Sequence, residues 1–96
     1  MSFVVTGPLF LVLEDLSGGY LTDPMATSGW TKEGQVWTAD TVLFPQAPYG
    51  AVGFCVIDED GMKVAPSVRF AEGVATGRKG DDLEVTPSIE FVKEYA

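Results

Sequence analysis

Hydrophobic and polar residues alternate most clearly between Asp82 and Phe91. The apolar set is Leu83, Val85, Pro87, Ile89 and Phe91, and the polar set is Asp82, Glu84, Thr86, Ser88 and Glu90. A period of two predicts a β-strand with one buried face and one wetted face. Because Pro87 cannot donate a ladder hydrogen bond, we expect it at an edge, at a bulge or at a break between two short strands.

The stretch from Gly50 to Asp58 is apolar on both faces, a pattern typical of a central strand that is covered on two sides. The following Glu59-Asp60-Gly61 contains an Asp-Gly pair, which tolerates the positive φ of a tight turn. Met62 to Phe70 has the pattern of a return strand, interrupted at Pro66. We therefore predict an antiparallel hairpin over residues 50–70.

Two further apolar runs predict strands, Leu9 to Glu14 and Gln35 to Phe44, and the second run is polar enough in its middle to form two strands. Leu16 to Glu33 has no strong period and is expected to be an excursion loop with one short strand near Tyr20. Gly73 to Asp82 is rich in glycine and charge and is also expected to be a loop. Apolar residues do not recur at helical spacing anywhere in the chain.

Together these runs predict an all-β fold of six to eight short strands, arranged as a small antiparallel β-sandwich of jelly-roll type. A small barrel is the competing arrangement. The 96 residues suit one β domain spanning residues 1–96, with residues 1–7 as a candidate N-terminal arm. We expect Phe3, Val4 and Val5 of this arm to add a strand to a neighbouring molecule.

The formal net charge is −8, from 14 acidic and 6 basic residues. A protein binds nucleic acids and anionic membranes largely through basic residues that neutralise phosphate groups, and a negative net charge disfavours such binding. We therefore expect neither nucleic acid nor a membrane surface as a partner. The sequence has no histidine, and its single cysteine, Cys55, lies in an apolar run. A buried thiol without a basic neighbour is a poor nucleophile, which argues against cysteine catalysis.

Two groups of carboxylates have both a chemical and a plain structural interpretation. Asp58-Glu59-Asp60-Gly61 resembles part of a calcium loop, but Met62 to Arg69 supplies no acid to complete it, which favours a hairpin turn. The acidic residues Asp81, Asp82, Glu84 and Glu90 could pair for general acid–base chemistry as in glycoside hydrolysis, but alternation places the last three on the wetted face of a strand. We therefore expect no enzyme, no cofactor and no metal ion.

Three aromatic residues lie in or near the long loop, namely Tyr20, Trp30 and Trp37. If their rings are exposed, they could stack on sugars or anchor a protein partner, because each offers a large rigid area with a polar tip. Packing of the loop onto the core is the alternative explanation. Together with the three apolar residues of the arm, these aromatics are the candidate partner-binding residues.

The C-terminal half carries four motifs: Ala47-Pro48-Tyr49-Gly50, Val56-Ile57-Asp58-Glu59-Asp60-Gly61, Val68-Arg69-Phe70 and Gly80-Asp81-Asp82-Leu83-Glu84-Val85-Thr86-Pro87. In this order they resemble the motifs of small accessory virion proteins of tailed bacteriophages, of the capsid decoration or cement type. The resemblance is confined to residues 47–91, and residues 1–46 do not share it.

The resemblance implies a non-enzymatic structural protein of a phage particle, in the first place a decoration protein that binds the major capsid protein and stabilises the shell. It implies synthesis in the host cytoplasm and a place on the virion surface. The expected partners are the major capsid protein or another virion protein, and further copies of the chain in a homo-oligomer, with a trimer as one option. The alternative function is a carbohydrate- or receptor-binding β-domain of a tail or knob, with Trp30 or Trp37 exposed.

Overall fold

The computed structural model of the chain describes residues 3–5, 7–48, 50–70, 76–79, 81–90 and 93–95, so the expected burial of Phe91 lies outside the described residues. All regular elements in these ranges are β-strands, which confirms the all-β prediction. The same ranges contain no helix, and therefore none with the length and apolarity to cross a membrane. The strands are β1 (Phe3–Val5), β2 (Leu9–Glu14), β3 (Met25–Thr27), β4 (Thr31–Glu33), β5 (Val36–Thr38), β6 (Val42–Phe44), β7 (Gly53–Asp58), β8 (Val68–Arg69), β9 (Thr76–Lys79), β10 (Asp82–Val85), β11 (Ser88–Ile89) and β12 (Lys93–Tyr95).

The strands outnumber the six to eight expected, chiefly because β3, β4 and β9 form in stretches that were expected to be loops, and also because two apolar runs are each divided into two strands. The alternating stretch that begins at Asp82 divides into β10 and β11 around Pro87, which is one of the three outcomes expected for this proline. The carbonyl of Pro87 still accepts a hydrogen bond, from the backbone N–H of Ala39 at 3.1 Å. The run from Gln35 to Phe44 likewise divides into β5 and β6.

A four-stranded antiparallel sheet with the order β3-β2-β7-β8 forms the centre of the molecule. β2 and β7 lie side by side over their whole length, with Leu9 opposite Asp58 and Glu14 opposite Gly53. Both strands are almost entirely buried, as expected for central strands that are apolar on both faces.

The hairpin predicted over residues 50–70 is present, but its return strand is short. β8 pairs with the beginning of β7, while Lys63 makes only an isolated bridge with Ile57. Val64 is buried and still donates its backbone N–H to the carbonyl of Val56 at 3.0 Å. The ladder is interrupted around Pro66, which is exposed and has no N–H group to donate, as the sequence pattern indicated.

The expectation of one short strand near Tyr20 in a long loop is wrong. Tyr20 makes only an isolated bridge with Glu14, whereas the same stretch contains the regular strands β3 and β4. β3 pairs with β2, and β4 forms a hairpin with β5 through a turn at Gly34, where φ is 64°. All three residues of β4 are exposed, so this strand is held by backbone hydrogen bonds and has no hydrophobic pattern.

The prediction of a loop from Gly73 to Asp82 is also wrong, because this stretch contains β9. β9 pairs with β10 in antiparallel register, with Lys79 opposite Asp82 and Thr76 opposite Val85. β6 pairs along the other edge of β10, which gives a three-stranded sheet with the order β6-β10-β9. The third antiparallel sheet has the order β11-β5-β4.

One hydrophobic core joins these sheets. It takes side chains from one face of the four-stranded sheet, from the inward-facing positions of β6 and β10, and from β11. Its members on these strands are Leu9, Leu11, Leu13, Phe54, Val56, Val42, Phe44, Leu83, Val85 and Ile89. On the opposite side of β6 and β10, Leu43 and Glu84 face each other and are exposed, as a period of two requires.

β1 and β12 form a separate two-stranded ribbon, here called the terminal ribbon. The two strands are parallel, with Phe3 opposite Lys93 and Val5 opposite Tyr95. Within the described ranges neither strand pairs with any other, so each has one ladder partner and one outer edge. The three arm residues thus pair with β12 of their own chain. Pairing of β1 with a neighbouring molecule stays a prediction, and it would use the edge of β1 that does not face β12.

Candidate binding surfaces

The carboxylate of Asp58 shapes the turn after β7. Its Oδ1 accepts hydrogen bonds from the backbone N–H groups of Asp60 and Met62, both at 2.9 Å. Gly61 closes the turn with φ of 81°, a conformation that glycine adopts without strain. The acidic turn is therefore built by backbone-directed hydrogen bonds, and no group of three or more side chains suited to a metal ion occurs in the described ranges.

The second carboxylate group is spread over the wetted side of β10 and β11. Glu84 and Glu90 are exposed, and Asp82 is partly buried at the edge of β10. The Oδ1 atom of Asp82 accepts the backbone N–H of Gln46 at 3.1 Å, which ties the β6–β7 connection to β10. This placement agrees with a solvated face and with a structural role for Asp82.

Cys55 lies on the second face of the four-stranded sheet, with Val12 and Ile57, and only 1% of it is exposed. Burial raises the pKa of the Cys55 thiol, although its hydrogen bond with Tyr20 acts in the opposite direction. The pKa of Tyr20 is raised to about 12, mainly by its hydrogen bond with Cys55 and to a smaller extent by burial. The thiol is therefore held protonated, which is the wrong state for a nucleophile at neutral pH.

A buried carboxylate at the end of β2 is a feature that the sequence interpretation missed. Glu14 is 4% exposed, and its Oε2 lies 3.5 Å from Nζ of Lys63. Nζ also donates a hydrogen bond to Oγ of Ser67 at 2.7 Å, so the lysine connects the sheet to the return segment of the hairpin. The signal was present, because Glu14 shares a face with Phe10 and Val12 in a strand that is otherwise apolar.

The three candidate aromatic residues occupy different environments. Trp30 packs against the core, and its Nε1 donates a hydrogen bond to Oγ1 of Thr27 at 3.1 Å. Trp37 is partly buried, and Nζ of Lys32 lies 5.7 Å from the centre of its ring, in the range of a cation–π contact. Tyr20 is 50% exposed.

A groove with an apolar floor lies between β2, β7 and the turn after β7. Its volume is about 400 Å³, and its lining consists of Phe10, Pro24, Ile57, Asp58, Glu59 and Gly61; we call it the acidic groove. Phe10 and Ile57 lie opposite each other in the β2–β7 ladder, and together they form the floor. Glu59 is exposed on the rim, and Asp58 is partly buried beside it. The turn was predictable from the sequence, but the groove was not, because Pro24 comes from a distant part of the chain.

Comparisons of the chain with protein-family models, with curated proteins and with solved structures found no match in any of the three.

Proposed function

We propose that the protein is a non-enzymatic structural component of a bacteriophage particle, a capsid decoration or cement protein that binds the major capsid protein and stabilises the shell. The observation that carries this proposal is the terminal ribbon. Two parallel strands, β1 and β12, pair only with each other within the described ranges. A strand-forming surface of this kind suits a protein that works by assembly.

The physical reason lies in the open edges of the ribbon. A two-stranded sheet alone is marginally stable in water, and parallel sheets are normally covered on both faces. An unpaired strand edge is also a ready template for a strand from another chain. Addition of a strand from a second copy or from a coat subunit would extend the ribbon and satisfy its backbone groups.

The chemistry of the described side chains is consistent with a structural role. The one thiol is buried and protonated, and the carboxylates of Asp58 and Asp82 hold backbone N–H groups. The net charge of −8 disfavours the nucleic acid inside a particle and suits a place on its outer surface. Of the four motifs that resemble those of accessory virion proteins, the second and third fall in the hairpin, and residues 82–85 of the fourth form β10.

We further propose that the fold is a small sandwich of jelly-roll type. The inner face of the four-stranded sheet and the inward-facing residues of β6 and β10 contribute to one core, which is how two stacked sheets bury their apolar faces. The antiparallel pairing within the three larger sheets supports the same arrangement. A sandwich presents wide, shallow surfaces, and these suit binding to a shell.

Mass spectrometry of purified virions tests the functional proposal. We expect the protein in stoichiometric amount relative to the major capsid protein, and we expect particles made without it to lose their DNA at a lower temperature. Particles that contain none of the protein, and whose heat resistance is unchanged when its gene is deleted, would contradict the proposal.

A carbohydrate- or receptor-binding domain is the second candidate, and Trp37 is the residue that favours it. Trp37 lies on the β4–β5 hairpin, where most side chains are exposed. Trp30 supports this function less, because its ring packs on the core and its N–H group is bonded to Thr27. Stacking on sugars would therefore depend on the ring of Trp37, already approached by Lys32.

A further inference from the structure

We propose that the acidic groove is the docking site for a segment of the partner protein in which an apolar side chain lies next to a lysine or arginine. This inference deepens the proposed function by naming the surface and the chemistry of the contact, and it rests on that function for the partner's identity. It is carried by the shape of the groove, by its apolar floor and by the charge of its rim.

The floor of the groove is formed by the face of β2 and β7 that points away from the main core. Phe10 is only partly buried there, while its cross-strand neighbour Ile57 is 5% exposed. Val12 and Cys55 lie next along the same face and are fully buried, so the floor rests on packed side chains. A volume of about 400 Å³ falls at the lower end of the range of about 300–1,000 Å³ for ligand pockets, enough for one large side chain and its neighbours.

The rim carries negative charge from the turn after β7. Asp58 and Glu59 line the groove, and Asp60 is exposed in the same turn. Because Asp58 is fixed by two backbone N–H groups, this charge has a defined position and does not depend on a mobile side chain. A cation that enters with an apolar neighbour would therefore meet a fixed counter-charge, which favours orientation and specificity.

The groove also lies beside the chain that leads to the terminal ribbon. A Cβ atom at Gly7 would lie 3.6 Å from Oε1 of Glu59, so the backbone between β1 and β2 passes the rim. A partner strand that pairs with the ribbon thus has a second contact close by. Two adjacent contacts on one partner strengthen binding more than either does alone.

Charge argues that the occupant is a different protein and not a second copy of this chain. Each copy carries a net charge of −8, with only 6 basic residues against 14 acidic ones. Docking one copy into the acidic rim of another would bring like charges together, which is unfavourable. Binding of a second copy in the groove would therefore contradict the proposal.

The test uses the full ¹⁵N-labelled chain and a synthetic twelve-residue peptide that has one phenylalanine between two lysines and otherwise only glycine and serine. Two control peptides replace the lysines by glutamates or the phenylalanine by serine. We expect the first peptide to shift the amide signals of Phe10, Ile57 and Gly61, and each control peptide to bind at least about fivefold more weakly.

A charge-reversal pair of variants separates the rim from overall electrostatics. Glu59→Lys should weaken binding of the lysine-containing peptide about fivefold, whereas Glu33→Lys, which makes the same change on exposed β4, should leave it within about twofold. Both residues are exposed, so both variants are expected to fold, and their unbound spectra check this.

Three outcomes would overturn the docking proposal: no peptide-dependent shift, shifts confined to residues away from the groove, or equal effects of the two variants. Concentration-dependent shifts of groove amides without peptide would also overturn it, in favour of a second copy. A failed peptide test together with virions that contain the protein would refute the groove alone. A positive peptide test with virions that lack the protein would refute the particle function alone.

Discussion

Gly53 is a position where the backbone of a neighbouring strand leaves no room for a side chain. A Cβ atom there would overlap the carbonyl oxygen of Val68 and lie 3.2 Å from Cα of Arg69. Both contacts are with the backbone of β8, so a rotamer change cannot relieve them. Glycine at this position therefore allows β7 and β8 to come together at the start of the hairpin.

We expect Gly53→Ala to lower the free energy of unfolding by about 1–3 kcal/mol, because β8 must move away from β7. Gly50→Ala is the matched control, since a Cβ atom at Gly50 has open space around it, and it should stay within about 0.5 kcal/mol of the wild type. Urea denaturation of both variants gives the comparison. Equal stabilities for the two variants would contradict the close approach of β8.

The raised pKa values of Tyr20 and Cys55 predict a loss of stability in alkali. The pKa of Tyr20 is raised from 10.0 to about 12, and that of Cys55 is raised from 9.0. Folding therefore favours the protonated forms of both groups, and this contribution is complete below the unfolded pKa values and is lost as the pH rises through the folded ones.

We expect the stability of the wild type to fall between pH 9 and pH 12, and Tyr20→Phe to lose less stability than the wild type over the upper part of this window. Denaturant titrations at several pH values measure both slopes. Parallel slopes for the two proteins above pH 10 would show that Tyr20 ionises in the folded state as it does in the unfolded chain.

Glu14 illustrates what residue patterns reveal only in part. The pattern puts Glu14 on the same face of β2 as Phe10 and Val12, but the groups that lie beside its carboxylate, Lys63 and Ser67, come from about fifty residues further along the chain. The acidic groove has the same origin, because Pro24 joins Phe10 and Ile57 only after folding. Local patterns identify the face of a strand on which a residue lies, and long-range contacts decide whether that face is buried or exposed.

At the scale of elements, the hairpin turn after β7 is the best example of a feature that was predictable from sequence. Gly61 of the predicted Asp60-Gly61 pair takes the positive φ that the turn needs, whereas the acceptor of the two turn hydrogen bonds is Asp58, for which no such role was predicted. Dense apolar runs likewise predicted β2 and β7, because central strands require burial on both faces.

Weakly hydrophobic strands were not predictable in the same way. β4 is exposed along its length, and β9 has the sequence Thr-Gly-Arg-Lys, which resembles a loop. Each forms because an adjacent strand, β5 or β10, presents a backbone ladder to it. Pairing of this kind depends on tertiary context, so local composition gives little sign of it.

We expect Asp58→Ala to lower the free energy of unfolding by about 1–2 kcal/mol, because two backbone N–H groups lose their acceptor. Asp60→Ala changes an exposed residue of the same turn and serves as the control, with an expected effect within about 0.5 kcal/mol. Thermal or urea unfolding measures both. If the two substitutions cost the same, the side chain of Asp58 does not organise the turn.

At the scale of the whole molecule, two groups of strands differ in their hydrogen bonding. Among the residues whose burial the structure describes, the core cluster takes side chains from Leu9 onward and joins the three larger sheets, whereas β1 and β12 are hydrogen-bonded as a sheet of their own. We expect removal of residues 1–5 to leave the core folded while it takes away β1, the strand to which we propose that a partner strand adds. The expected self-association of the chain should weaken in this variant, as sedimentation velocity would record.

Rebinding to virus particles is the measurement that tests the central claim most directly. Purified protein is mixed with particles assembled without it, and the bound amount is measured after sedimentation through a cushion. We expect the wild type to saturate the particles at a fixed ratio to the coat protein, and the variant lacking residues 1–5 to bind at least tenfold more weakly. A wild-type protein that stays in the supernatant at every concentration would contradict the proposal that this chain is a structural part of the particle.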